Sequence, residues 1–286
     1  MPTSRYRDWD SFTFPPARPD RANPANPVAP ANPVAPANPA NPAVEAPVAF
    51  SADLSPASVL GAYRRGIVPL PASDDFTRTL NEFRYEDQVA AGAIALVGDE
   101  TDDPYWVGWW SPDPRPVIGV GHVHLGRNVR KRLRQDSLTT SANVAFVQVA
   151  EACREGREPR WLTDPLLDTL TVLHAQGWAH SIEVWRDDEL VGGAIGIGLG
   201  GVISGDSLFG RQPGAPAIAV ADMSARLAAA GGALIDAQWD GALLRSLGAG
   251  PMPRERYLAL LERQAGPLKL PAGRQAAERL LPDPRA

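Results

Sequence analysis

Sulfur chemistry and long apolar runs are nearly missing from this chain, and each scarcity closes off a class of protein. A single cysteine, Cys153, stands in 286 residues. That excludes an internal disulfide and leaves no cysteine pair to hold a metal. Cys153 falls in a segment expected to be helical, where packing is favoured over a nucleophilic role. No apolar stretch approaches the roughly eighteen residues of a membrane span. The opening, Met1 to Asp8, carries Arg5 and Arg7 and no apolar core, unlike a secretory signal. The cytoplasm, away from membranes, is the expected location. An excess of positive charge is lacking too: the net charge is -5 at pH 7. That argues against bulk nucleic-acid binding but leaves room for a local basic patch. His122 and His124 stand close together without a third ligand, so no metal is expected.

What is present begins with proline. Residues Asn23 to Ala46 repeat Ala-Asn-Pro-Val-Ala-Pro with variations. Prolines this frequent remove backbone donors and hold a chain near polyproline II, so an extended arm is expected. The first helix is expected after Asp53, where Ser55 caps, Pro56 takes the first helical position and Gly66 ends the helix. Residues 72–107 carry acidic pairs at both ends, Asp74-Asp75 and Asp102-Asp103, around an amphipathic stretch from Gln88 to Val97. Either a surface elaboration or a lid fits that pattern. Helices are expected over Ser141–Glu155 and Thr163–Ala175, then a strand from Ala179 to Arg186 in which Glu183 faces outward between Ile182 and Val184. Asp240–Leu247 and Pro253–Arg263 read as closing helices. Helix pairs alternating with antiparallel hairpins make an α+β fold.

The stretch from Leu190 to Gln238 organises the rest. Ile195, Ile197 and Leu199 alternate with glycines, and Gly200-Gly201 can turn, which predicts two hairpin strands ending on Asp206. An alanine-rich helix is expected over Pro216–Ala230, stopped by Gly231-Gly232. A short buried strand, Ala233 to Ile235, then delivers Asp236 and Gln238, which alternation places on one face. Such a pair either orients a reacting group or closes a strand end as a hydrogen-bond knot. Between Arg127 and Gln135 the chain also concentrates five cations, Arg127, Arg130, Lys131, Arg132 and Arg134, on an expected helix. Basic segments draw phosphates through charge and counterion release without reading base sequence.

These blocks together resemble the leucyl/phenylalanyl-tRNA–protein transferases. The matching segments are Trp109-Trp-Ser-Pro-Asp-Pro-Arg115, Trp161-Leu-Thr163, Ala179-His-Ser-Ile-Glu-Val-Trp185, Gly205-Asp-Ser-Leu-Phe209 with Arg211, and Leu234-Ile-Asp-Ala-Gln238 followed by Ser246-Leu-Gly-Ala249. The resemblance covers about Phe50 to Arg263. It implies a GNAT-like mixed sheet with flanking helices, a small N-terminal subdomain and a disordered arm. The boundaries then run 1–50 for the arm, 51–108 for the subdomain with its insertion at 72–107, 109–265 for the transferase domain, and 266–286 for a loose tail.

The resemblance also implies a reaction: a leucyl, phenylalanyl or methionyl group moves from its tRNA to the N-terminal amine of a protein beginning with Arg or Lys. No cofactor is needed beyond the aminoacyl-tRNA, and a monomer is expected. By resemblance Asp236, Gln238 and Asp206 are catalytic. Trp110, Trp161, Tyr63, Ala194, Leu208, Phe209 and Arg211 contact substrate, and the basic helix receives the tRNA acceptor stem. The chain departs from the family in several places, Ser51-Ala52 for a glycine pair and Gly241-Ala-Leu243 for an Asn or Pro-His among them. Leu70 replaces a tryptophan of the aminoacyl pocket, Leu170 replaces a tyrosine, Asp206 replaces a glutamate, and Gly210 to Ala217 replaces a Ser-Arg-x-x-Asn-Ala-Ser-Lys block. Two alternatives therefore stay open: transfer to a different amine, and a non-catalytic relative that binds tRNA or peptides.

Overall fold

The computed structural model describes residues 6–14, 46–100, 102–262 and 266–281. Five short strands build a first sheet, β1 (Tyr6–Arg7), β2 (Ala49–Ser51), β3 (Val68–Pro71), β4 (Ala95–Val97) and β5 (Val107–Trp110), in the order β1-β4-β2-β5-β3. Helices α1 (Pro56–Arg64) and α2 (Asp75–Ala90) flank it. Ser55 caps α1 as its sequence position predicts, accepting from the Ser58 N–H. The inserted segment is no lid. Its strand β4 lies between β1 and β2, and its Asn81 donates to the Tyr105 carbonyl within the same segment. The amphipathic stretch from Gln88 to Val97 is not one element either, because α2 stops at Ala90 and Gly92 turns the chain at φ 72.

The second sheet carries eight strands, β6 (Arg115–Gly119), β7 (Leu138–Ala142), β8 (Ala179–Arg186), β9 (Glu189–Leu199), β10 (Val202–Gly210), β11 (Leu234–Asp236), β12 (Gly250–Met252) and β13 (Gln275–Ala276), in the order β12-β6-β11-β10-β9-β8-β7-β13. The helices here are α3 (Arg127–Gln135), α4 (Phe146–Arg154), α5 (Asp164–Ala175), α6 (Ala215–Ala229), α7 (Ala242–Ser246) and α8 (Arg254–Leu261). The pair β10–β11 is parallel and the other pairs of this sheet are antiparallel. The architecture is thus α+β with a mixed sheet. Alternation along β9 separates two cores, Ile195, Ile197 and Leu199 joining α4 and α5 and Ala194 joining α6, while the register shift opposite Val184 and Trp185 turns Val191 to the α6 side as well. Among the described residues no helix is long and apolar enough to cross a membrane.

Several expectations are corrected. The helix expected from Ser141 is strand β7 as far as Ala142. Asn143 turns the chain at φ 61, and α4 begins only at Phe146. Glu183 does leave the side shared by Ile182 and Val184, but protein rather than water covers it. It is wholly buried and accepts from Ser141 Oγ at 2.6 Å, Ser181 Oγ at 2.5 Å and the Ala145 N–H at 3.3 Å. The arm is not uniformly loose, since Trp9 and Phe12 are buried and Trp9 packs edge-on against Trp109 at 4.9 Å. Its repeats at 23–45 lie outside the described residues. The tail is also built in as far as Leu281: β13 pairs with β7, Leu268, Leu270 and Ala277 are buried, and the Arg226 guanidinium donates to the Pro271 and Gly273 carbonyls.

One irregularity positions the functional groups. The pairing of β10 with β9 runs Gly205 to Gly196 and then Ser207 to Ile195, so Asp206 is the extra residue of a β-bulge. Gly196 is required opposite it, because a Cβ there would stand 2.4 Å from the Ser204 carbonyl oxygen. The pairing of β10 with β11 also ends at this level, on Ser204 and Asp236. Beyond it the two strands separate.

Candidate active site

A cavity of about 690 Å³ opens where β10 and β11 part. Its wall includes Asp206, Asp236 and Gln238 together with Tyr63, Trp161, Leu208, Phe209 and Arg211. Two expected contact residues are elsewhere. Trp110 is buried behind the wall, its ring 6.0 Å from that of Trp239, and Ala194 lies on the α6 side of β9.

Gln238 is not on a strand, contrary to the alternation argument. The strand ends at Asp236, and Gln238 sits in the left-handed region at φ 56. A turn brings the pair together: the Gln238 N–H donates to Asp236 Oδ1 at 2.9 Å. The Gln238 carboxamide donates through Nε2 to Ser204 Oγ at 3.1 Å and to Asp206 Oδ1 at 2.5 Å. Both amide hydrogens are therefore committed, which leaves Oε1 as an acceptor for an arriving N–H.

Asp236 is wholly buried and saturated. Its Oδ2 accepts from Arg115 Nη1 at 2.8 Å, Ser204 Oγ at 2.8 Å and the Tyr257 hydroxyl at 2.9 Å. Arg115, also fully buried, donates through Nη2 to the Gly66 carbonyl at 2.5 Å and lies over the Tyr257 ring at 4.4 Å. Asp236 is thus a positioning residue that reaches the Gln238 side chain only through Ser204. Sequence reasoning misses Arg115, Ser204 and Tyr257. The one signal for any of them is that Arg115 ends the Trp-Trp-Ser-Pro-Asp-Pro-Arg block.

Asp206 also lies at the wall. The Tyr63 hydroxyl donates to its Oδ1 at 2.5 Å, while Oδ2 is buried without a donor. Burial raises its pKa to about 7, working against the Tyr63 and Gln238 hydrogen bonds that lower it. Burial and then the Asp206 charge raise the Tyr63 phenol well above its usual range, so Tyr63 stays a donor. Because the folded pKa of Asp206 exceeds the unfolded value near 3.8, the folded state holds the extra proton between those limits. Wild-type stability relative to Asp206→Asn is therefore expected to fall as pH rises from about 4 to about 7. Paired thermal melts check this, and a constant difference between the two proteins refutes it. Cys153 is buried and its thiol is pushed up to about 12, chiefly by burial, which fits packing. Among the described residues no group of three His, Cys, Asp or Glu side chains could hold a metal.

The basic helix α3 borders the same region. A Cβ on Gly214, the residue capping α6, would lie 3.4 Å from Val129 and 3.7 Å from Arg132. The adjoining Arg211 and Pro216 line the cavity. Arg127, Lys131 and Arg134 are exposed, Arg132 pairs with Asp136 at 3.4 Å, and Arg130 lines a separate cleft with His124 and Arg279.

The sequence profile of the leucyl/phenylalanyl-tRNA protein transferases matches residues 117–262. A leucyl/phenylalanyl-tRNA–protein transferase of Aromatoleum aromaticum is 38% identical over 215 residues, 74% of this chain and 78% of that protein. The chain belongs to this transferase family. Other members are similar to it as well. The one from Teredinibacter turnerae is 37% identical over 75% of this chain and 73% of its own length, and the one from Proteus mirabilis is 42% identical over 54% and 67%. A solved GCN5-related N-acetyltransferase from Kribbella flavida covers 50% of this chain and 55% of its own at 17% identity, with a TM-score of 0.29. Within this transferase, the fold rests on its own sheet order and on the family match.

Proposed function

We propose that the protein moves a leucyl or phenylalanyl group from its tRNA to the N-terminal amine of an acceptor protein with a basic first residue. It acts in the cytoplasm, as a monomer and without a cofactor. The observation that carries this reading is the Gln238 carboxamide, its hydrogens committed to Ser204 and Asp206 and its oxygen left for an amine. The ester of an aminoacyl-tRNA is already activated, so the enzyme needs to hold the amine against the carbonyl carbon and manage one proton. Positioning of that kind is worth roughly 7–11 kcal/mol.

In this reading the amine donates an N–H to Gln238 Oε1 and attacks the ester carbonyl. The C–N bond forms and the bond to the terminal ribose oxygen breaks. The proton lost by nitrogen passes through Asp206 to the leaving hydroxyl. The negative charge of Asp206 also attracts a basic first residue. An aspartate is one methylene shorter than the family's glutamate, which favours an acceptor range different from that of the relatives.

The test incubates the protein with leucyl-, phenylalanyl- or methionyl-tRNA and peptides beginning with Arg, Lys or Ala, and reads extension by mass spectrometry. Extension of Arg or Lys peptides is expected. Extension of the Ala peptide alone moves the acceptor class, and tRNA binding without any extension overturns the enzyme reading. Transfer is also expected to rise with pH through about 7 as Asp206 ionises, and further as the acceptor amine deprotonates near 7.7–8.0. In Asp206→Asn only the second limb should remain, and an unchanged profile removes Asp206 from proton handling. Reversing Arg130, Lys131 and Arg132 to glutamate is expected to abolish tRNA binding at moderate salt and flatten its salt dependence by roughly two to three units of slope. Filter binding across a salt series measures this, and an unaltered slope means the tRNA lies elsewhere.

A further inference from the structure

Helix α6 has a second open side. Pro216, Val220 and Met223 face the active-site cavity, whereas Ala221, Ser224 and Ala225, offset around the same helix, face a separate cleft of about 410 Å³. The loop after β6 brings His124 to this cleft, and the turn at Ala277–Leu280 in the C-terminal tail brings Arg279.

Helix α3 sends its cations in three directions. Arg127, Lys131 and Arg134, at i, i+4 and i+7, form one exposed stripe. Arg132 approaches Gly214 and pairs with Asp136. Arg130 is half-buried and turned to the cleft, and its guanidinium has no protein partner among the described residues. Arg279 gives one nitrogen to Asp222, which Arg226 and Thr140 also serve, and its other N–H groups have no protein partner among the described residues. Ser224 Oγ accepts from the Gly121 N–H at 3.3 Å, so its own hydrogen is left to donate.

Two guanidiniums, a hydroxyl and an imidazole thus meet in one cleft with no carboxylate among its described lining residues, in a chain of net charge -5. Guanidinium forks match the oxygens of a phosphate group. The cleft is much larger than a bare phosphate needs, and its floor on α6 is apolar alanine, which suits an attached organic group.

We propose that this cleft is a second binding site, for a nucleotide whose phosphate is held by Arg130 and Arg279 and whose nucleoside lies on the alanine floor of α6. It is separate from the transfer site and does not depend on the transfer reaction. Two sources carry this chemistry, a free nucleotide and an unstacked nucleotide of tRNA. The test titrates the full chain by calorimetry with uridine monophosphate, uridine and inorganic phosphate. Saturable binding of uridine monophosphate is expected, and none of uridine. Arg130→Gln and Arg279→Gln are each expected to weaken uridine monophosphate about ten- to hundredfold. Asp222 keeps Arg226 and Thr140 in the second variant, so the fold survives, and a thermal melt checks this. Ala225→Leu fills the floor and is expected to exclude uridine monophosphate while leaving inorganic phosphate bound. Filter binding of tRNA to the two glutamine variants then assigns the source: a matching loss of affinity supports a tRNA nucleotide, and an unchanged affinity supports a free one. Absence of saturable uridine monophosphate binding by wild type overturns the proposal. So does binding that both glutamine variants leave unaltered.

Discussion

Asp206→Asn is expected to lower kcat/KM for peptides beginning with Arg or Lys by about 10²–10⁴-fold, the range typical of a lost general base. The substitution is close in shape, so the contacts of the bulge survive. The introduced amide can still accept from Tyr63 and Gln238 through its oxygen, as Asp206 Oδ1 does now. What disappears is the negative charge and the ability to take up a proton near neutrality. Binding of the aminoacyl-tRNA should change little, because none of the cations of α3 touches this residue. Single-turnover transfer, measured beside tRNA binding, separates the two effects. Transfer at the wild-type rate would leave Gln238 to work without a carboxylate and refute the assignment.

Arg115→Met is expected to destabilise the fold by about 3–5 kcal/mol, the usual consequence of stranding one half of a buried ion pair. For a chain of this size that is a fall in Tm on the order of 10 °C. Arg115 and Asp236 are both fully buried, 2.8 Å apart. Without the guanidinium the carboxylate keeps two hydroxyls and one N–H but no counter-charge. Arg115 also holds the Gly66 carbonyl, at the end of the helix that delivers Tyr63. Transfer should therefore fall even at temperatures where the variant stays folded. The double variant Arg115→Met with Asp236→Leu removes both charges and is expected to regain part of the lost Tm without regaining transfer. A single variant that melts within about 2 °C of wild type would show that water or a local shift relieves the carboxylate.

Local pattern predicted much of the chain. Strand β8 spans Ala179–Arg186 as read, α5 starts after Thr163, the alanine-rich helix α6 ends one residue before Ala230, and the cations fall on the helix expected for them. Each of these follows from signals within a few residues: a cap, a proline, a period of two or of 3.6. Glu183 marks the limit of such signals. Alternation told which side of β8 it leaves but not that Ser141, Ser181 and the start of α4 would cover that side.

By itself the sequence determined the order of elements from α5 to β11, the kinship with the transferases, and Asp206, Asp236 and Gln238 as the polar groups of interest. The tertiary structure alone decided what surrounds each of them. A bulge carries Asp206 to the wall, and a left-handed turn commits both Gln238 hydrogens. A saturating set of donors from β6, β10 and α8 engages the Asp236 carboxylate. Tyr63 and Asp206 are 143 positions apart in the chain, and Arg115 and Asp236 are 121 apart. Backbone propensity acts over a few residues, whereas contacts at such separations exist only once two sheets have packed and fixed the register between them.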